Sequence, residues 1–199
     1  MTSQLQDLYL ILKKSHTNNY IGENVSQLEH FVLAAQLAEK EYPHDYELVV
    51  AAFLHDIGHQ LWDRHTQLIS PDGTFLGLHS HETIGAQWLH QMGFSERICA
   101  LVRNHVKAKK YLAYKIPDYI QTLSLASQQT LVLQKGMMTA EEAFNFEMDP
   151  YFDDSLLIRR YDDSAKDASQ LSRPLDLALD HYFDLSIQTL SKKLIIKDY

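Results

Sequence analysis

Apolar and polar positions recur at helical spacing along almost the whole chain, which predicts many helices and few strands. A first amphipathic helix is expected over roughly Thr2 to Lys14, followed by a polar loop from His16 to Asn24 that holds Tyr20-Ile21-Gly22-Glu23. Ser26-Gln27-Leu28-Glu29 reads as a capping box, and the helix it opens carries His30, Phe31, Ala34, Leu37 and Ala38 along one side. Asp45 stands where it caps a helix from Tyr46 to Ile57, with Gly58 as its stop. The periodicity fails from Gln60 to Ser80, where Pro71-Asp72-Gly73 marks a turn, and a loop this long inside a helical domain suggests a lid. Ser80 is expected to cap a helix running through His81, Ile84 and Trp88 to Met92. Ser95 caps another, whose inner face reads Ile98, Leu101, Val102, His105 and Lys109. Later helices are expected over Asp118 to Gln134, Thr139 to Glu147, Tyr151 to Asp163 and Leu175 to Leu194.

Composition narrows this to an all-α bundle. The chain has 199 residues, 45% of them hydrophobic, with only 7 Gly and 5 Pro, which suits one helical domain spanning 1–199. The formal net charge of −8 argues against nucleic-acid binding, where a basic face is expected. Cys99 is the single cysteine, so no internal disulfide framework exists and a reducing compartment is favoured. No basic stretch followed by an apolar one opens the chain, and no apolar run is long enough to span a bilayer. The expected setting is cytoplasmic, without a membrane partner.

The chemistry concentrates at VVAAFLHDIGHQ, where an apolar run ends in the adjacent pair His55-Asp56, with His59 four residues after His55. Burying an imidazole beside a carboxylate is costly unless something satisfies both, and a metal ion does so economically. His30, His81 and His105 follow the same rule, each a polar break in an otherwise apolar stripe; Asp162 lies further on, beside Asp163, where residue type alone also suits a solvated helix end. A lone histidine of this kind is usually a core residue bonded to backbone; the set together points to a metal centre. His44, His65, His90 and His181 lack such placement, and His79 competes with His81, which is favoured because His79 falls before the cap. Adjacent helical residues point about a hundred degrees apart, so His55 and Asp56 meet one metal only where the chain turns at a helix end. Four histidines and two aspartates exceed what one open mononuclear site needs, and they suit two metals sharing Asp56. Imidazole and carboxylate alone leave iron, manganese, zinc and nickel open.

The ordered series His30, His55-Asp56, His81, His105, Asp162 resembles the HD-domain superfamily of helical metalloproteins, most of which are phosphohydrolases. The stretches YIGENVSQLEH, LHDIGH, HETIGAQWL, NHVKAKKYLAYK, LSLASQQTL and RRYDDSAK, from about Tyr20 to Asp163, are similar to its phosphonate-degrading branch, the PhnZ and TmpB group of mixed-valent di-iron oxygenases. The resemblance implies a first iron held by His30, His55, Asp56 and Asp162. Asp56 would bridge to a second iron held by His81 and His105, and Asp163 is the rival to Asp162. It further implies that Tyr20 occupies the open position on the first iron, as a phenolate, until substrate arrives, while Glu23 recognises the substrate and releases the gate. Lys109 and His59 would neutralise an anionic group, and Ser127 and Arg159 would lie near the phosphonate. For Lys107 and Lys110 a solvated basic helix end suffices.

The implied reaction is dioxygen-dependent cleavage of the carbon–phosphorus bond of a small 1-hydroxyphosphonate. One substrate it suggests is 2-amino-1-hydroxyethylphosphonate, giving glycine and phosphate; the trimethylammonio analogue and hydroxymethylphosphonate are others. Two alternatives compete. A hydrolytic HD phosphohydrolase acting on a nucleotide or phosphate ester would use the same ligands but has no need of Tyr20-x-x-Glu23. A non-catalytic binding or signalling module has no use for six inward polar groups.

Overall fold

The computed structural model describes residues 3–20, 23–61, 67–69, 73 and 75–195, with side chains up to residue 190. Thr2, the Ile21-Gly22 pair, His65 and the Pro71-Asp72 half of the expected turn lie outside the described residues. The described residues form ten α-helices and one small hairpin, so the all-α expectation holds. The helices are α1 (Ser3–Lys14), α2 (Gln27–Glu41), α3 (Tyr46–Leu54), α4 (His81–Gln91), α5 (Glu96–Lys115), α6 (Tyr119–Thr122), α7 (Leu125–Leu133), α8 (Ala140–Glu147), α9 (Phe152–Ser164) and α10 (Leu175–Ile195).

The expected caps form. Ser26 Oγ accepts from the Glu29 amide while the Glu29 carboxylate accepts from the Ser26 amide, and Thr139 and Glu142 repeat the arrangement ahead of α8. Asp45 and Ser95 accept from the Leu48 and Ile98 amides at the starts of α3 and α5. Seven consecutive residues of α3, Leu48 to Leu54, are buried, so this helix is the axis of the bundle. Around it pack α2, α5, α9 and α10, with Phe31, Phe53, Phe94, Leu101, Ile158 and Tyr182 filling the space between. Leu8 and Leu12 of α1 join the same core.

Four expectations are corrected. The helix expected to reach Ile57 ends at Leu54; His55 and Asp56 sit in the turn, and Ile57–Gln60 continues as a 3₁₀ turn. Gly58 is therefore no left-handed stop, and its role is one of space, described below. Ser80 lies ahead of α4 in the left-handed region (φ 60°) and makes no capping hydrogen bond; its hydroxyl pairs instead with His79 Nδ1 at 2.7 Å. The helix expected over Asp118 to Gln134 is divided into α6 and α7, because Ser124 caps a new helix by accepting from the Ser127 amide. Part of the expected loop is the antiparallel hairpin of β1 (Gln67–Ile69) and β2 (Phe75–Leu78), with Gln67 opposite Leu78 and Ile69 opposite Phe75. Its Leu68, Leu76 and Leu78 are buried.

Among the described residues no helix is long and apolar enough to cross a membrane.

Candidate metal centre

Five elements bring the six expected metal ligands to one point. His30 comes from the first turn of α2, His55 and Asp56 from the turn after α3, His81 from the start of α4, His105 from the middle of α5 and Asp162 from the end of α9. All six are at least 95% buried. His30, His55 and Asp56 form one group of closely spaced ligand atoms; Asp56, His81 and His105 form another. Asp56 belongs to both. Its Oδ1 lies 3.2 Å from His81 Nε2 and 3.3 Å from His105 Nε2, while its Oδ2 lies 3.6 Å from His55 Nε2 and 3.9 Å from His30 Nε2. Asp162 Oδ1 closes the first group at 3.4 Å from His30 Nε2 and 3.7 Å from His55 Nε2. The end of α3 at Leu54 is what allows this: with the chain turning at His55-Asp56, neighbouring side chains converge instead of diverging around a helix.

The backbone sets the orientation of each imidazole. His30 Nδ1 is bonded to the carbonyl of Ala165 (2.8 Å), His55 to Ala52 (2.8 Å), His81 to Leu78 (3.2 Å) and His105 to Val102 (2.7 Å). A carbonyl only accepts, so each Nδ1 carries the hydrogen and a neutral ring presents a lone pair at Nε2. His30 Nε2 and His55 Nε2 face each other at 3.1 Å, and so do His81 Nε2 and His105 Nε2. Two buried lone pairs at that distance repel unless a cation sits with them. Without one, a proton is recruited: burial lowers the His55 pKa, but the carboxylates of Asp56 and Asp162 outweigh it and carry the pKa to about 9. Opposed Nε2 lone pairs beside a shared carboxylate suit metal ions, so these residues fit the ions expected.

The surrounding residues divide into three kinds. Tyr20 covers the first group: its ring stacks on His30 at 3.8 Å, and its hydroxyl lies 3.3 Å from Asp56 Oδ2 and 3.4 Å from Asp162 Oδ1. Burial, then the carboxylates of Asp162 and Asp56, push its pKa well up, and as a phenol its hydroxyl donates to those carboxylates. Glu23, whose amide is bonded to the Tyr20 carbonyl (3.0 Å), pairs with Lys166 at 3.0 Å and does not line the cavity beside the metal ligands. His59, Lys109, Ser127 and Arg159 all line that cavity together with Tyr20, Asp56, His81, His105 and Asp162.

His59 is oriented by its neighbours. Its ring stacks on His81 at 3.8 Å, its Nδ1 accepts from the Leu78 amide (3.2 Å), and burial, then His81, hold its pKa well below the usual range. With Nδ1 accepting, its hydrogen stands on Nε2, the reverse of the ligand tautomer. Lys109 is 4% exposed, and its Nζ donates to Thr130 Oγ1 at 3.1 Å. Burial, then the neighbouring Arg159, push its pKa down to about 7. Arg159 binds Asp162 through Nη1 (2.7 Å) and Asp163 through Nη2, leaving its Nε buried without a partner. Asp163 also accepts from the Tyr119 hydroxyl at 2.5 Å, so the rival to Asp162 supports Arg159 from outside the centre. His79 is exposed and turned to Ser80.

Sequence reasoning missed Thr130 and Gln134, which line the same cavity from α7 and the residue that ends it; Gln134 Oε1 is a buried acceptor without a partner. It also missed Leu68 and Leu76, the apolar wall supplied by the hairpin.

A fold of helices converging on a His-Asp turn defines a class, and residues 27–149 match the HD domain model; the chain belongs to the HD-domain family. Within it, the chain is 45% identical to the uncharacterized protein L432 of Acanthamoeba polyphaga mimivirus over 175 residues, 88% of this chain and 76% of that protein. It is 40% identical to the hydroxymethylphosphonate dioxygenase of Gimesia maris over 156 residues, 78% of this chain and 75% of that enzyme. It is 37% identical to the glycine-betaine-forming [1-hydroxy-2-(trimethylamino)ethyl]phosphonate dioxygenase of Leisingera caerulea over 158 residues, 79% and 78% of the two chains.

Proposed function

We propose that this protein is a cytoplasmic di-iron dioxygenase, built as one HD domain over 1–199, that cleaves the carbon–phosphorus bond of a small 1-hydroxyphosphonate. The observation that carries it is the pair of ligand groups sharing Asp56, set under a cavity that holds a buried lysine and an arginine. Two relatives whose names state dioxygenases of hydroxyphosphonates support the reaction class. One substrate and one dioxygen give one carboxylic acid and one phosphate: 2-amino-1-hydroxyethylphosphonate gives glycine, and hydroxymethylphosphonate gives formate.

His30, His55, Asp56 and Asp162 would hold one iron, and Asp56, His81 and His105 the other; bound there as a ferrous–ferric pair, they supply the redox chemistry and the activation of dioxygen. The remaining steps belong to side chains. Lys109 in its charged form receives the phosphonate in a buried site, where a fixed cation acts more strongly than in water. Ser127 and the free Nε–H of Arg159 add donors to the same anion, and Nε2–H of His59 adds a neutral one. Arg159 also keeps Asp162 ionised and aimed inward through its Nη1 bond. Tyr20 keeps a protein hydroxyl over the first iron's ligands until substrate binds, and Glu23, joined to Tyr20 through its amide, would leave Lys166 to reach the substrate's far end.

The test is iron-loaded protein studied by Mössbauer and EPR spectroscopy, with and without each of the three hydroxyphosphonates, followed by dioxygen and a phosphate assay. The expected result is a coupled ferrous–ferric signal that substrate perturbs, with phosphate released only under oxygen. A redox-inert metal requirement, or hydrolysis of phosphate esters without oxygen, would overturn the reading in favour of an HD phosphohydrolase.

A further inference from the structure

We infer that Gly58 and Gly85 form a spacer that fixes the second ligand group relative to the first, which makes Gly58 a positioning residue for one of the two ions alone; the inference rests on the two-metal reading above. Gly58 follows the His55-Asp56 turn by two residues, and Gly85 lies one helical turn after His81. A Cβ built on Gly58 would stand 1.9 Å from the His81 carbonyl oxygen, 2.7 Å from its carbon and 3.0 Å from the Gly85 nitrogen. All three are backbone atoms and cannot swing aside. The reverse contact is milder: a Cβ on Gly85 meets the Gly58 nitrogen at 3.0 Å, Ile57 Cγ2 at 3.2 Å and the Gly58 Cα at 3.4 Å. Gly58 is absent from the positive-φ glycines, so it is needed for closeness and not for an unusual backbone.

This contact sits on one side of the centre. α4 begins with His81, so its first turn rests directly on the segment that carries Asp56 and His59. That seating brings His81 Nε2 to 3.2 Å from Asp56 Oδ1 and lays its ring on His59. His30 and His55 face Oδ2, the other oxygen of Asp56, with Asp162 beside them, and the three come from α2, the turn after α3 and α9. A methyl at position 58 must push the His81 carbonyl from 1.9 Å to at least 3.0 Å, about 1 Å of recession. Metal–ligand distances tolerate roughly 0.2 Å, so His81 loses its place while the first group keeps its own.

The test titrates metal-free protein with Co²⁺ without air, reading stoichiometry and affinity by calorimetry and by the visible cobalt bands. Wild type takes up two equivalents. Gly58→Ala keeps one tight equivalent, and its second weakens about 10–100-fold, the range expected when a ligand's support is disturbed. Gly85→Ala weakens the same equivalent less; it decides the matter if circular dichroism shows that Gly58→Ala does not fold. Equal weakening of both equivalents, or a second equivalent unchanged in the folded variants, overturns the spacer. A wild type that binds a single equivalent overturns the two-metal reading itself, and the inference with it.

Discussion

The two ligand groups share a carboxylate and are alike in chemistry, yet they differ in what lies over them. The first is closed by protein: His30 and His55 are fully buried, and the Tyr20 hydroxyl sits within 3.4 Å of both of its carboxylates. The second opens more widely onto the cavity: His81 and His105 both line it with His59 and Lys109, whereas of the first group's own residues Asp162 reaches it and His30 and His55 do not. The difference separates two tasks. In the proposed function the first site is kept under a side chain that leaves when substrate arrives, and the second receives the substrate beside fixed donors. One buried oxygen pair, Asp56, joins them.

Removing that joint has the largest expected effect. Asp56→Ala takes a ligand from both groups, so metal content, measured by elemental analysis, should fall from two ions per chain toward none, with activity lost entirely. Breaking one side at a time comes next. His30→Ala should spare the ion held by His81 and His105, and His81→Ala should spare the other; if either variant empties both sites equally, the two groups are one unit and the comparison fails.

Lys109→Met is smaller and has two signs. Loss of a charged hydrogen-bond donor to the phosphonate costs about 1.5–3 kcal/mol, or roughly 10–150-fold in KM. In the wild type KM should also climb as pH rises past about 7, where free Lys109 sheds its proton, and the climb should vanish in the variant. Stability moves the other way. Because the folded lysine has a lowered pKa, the unfolded chain binds more protons between about 7 and its ordinary value near 10.4, so wild-type stability rises with pH across that window. Thermal melting should therefore find Lys109→Met more stable than wild type at pH 6, with the gap narrowing toward pH 10. The smallest effect is at Tyr20. Tyr20→Phe removes a hydroxyl worth about 1 kcal/mol and should speed substrate-free oxidation of the iron-loaded protein about fivefold, followed by loss of the ferrous signal in air. An unchanged rate would mean that the cover does not protect the first site.

Much of this was legible from residue types and spacing. Periodicity located most of the helices, and capping boxes marked the starts of α2 and α8 because Ser26/Glu29 and Thr139/Glu142 act within one turn of chain. The inward histidines stood out as polar breaks in apolar stripes, and the structure brings all of them to one point. What spacing could not supply depends on contacts between distant segments. Whether Asp162 or Asp163 faces the centre is set by Arg159 and Tyr119, which hold the second outward. The end of α3 at Leu54 and the need for Gly58 come from the seating of α4, remote in sequence. Two misses had signals in plain view. Gln67-Leu68-Ile69 and Phe75-Leu76-Gly77-Leu78 flank Pro71-Asp72-Gly73 as hairpin arms do, and Ser124 ahead of Leu125 was a legible cap.

The outer partner of every ligand imidazole is a main-chain carbonyl, at Ala52, Leu78, Val102 and Ala165. No side-chain substitution at those four positions can delete the partner, because each residue contributes the same oxygen whatever its identity. The orientation of the histidines is thus written in the path of the chain, and sequence drift around the centre is buffered in a way that carboxylate-supported sites are not. All four residues are buried in the core, so packing limits what replaces them, but any replacement that leaves the helices where they run keeps the rings aimed.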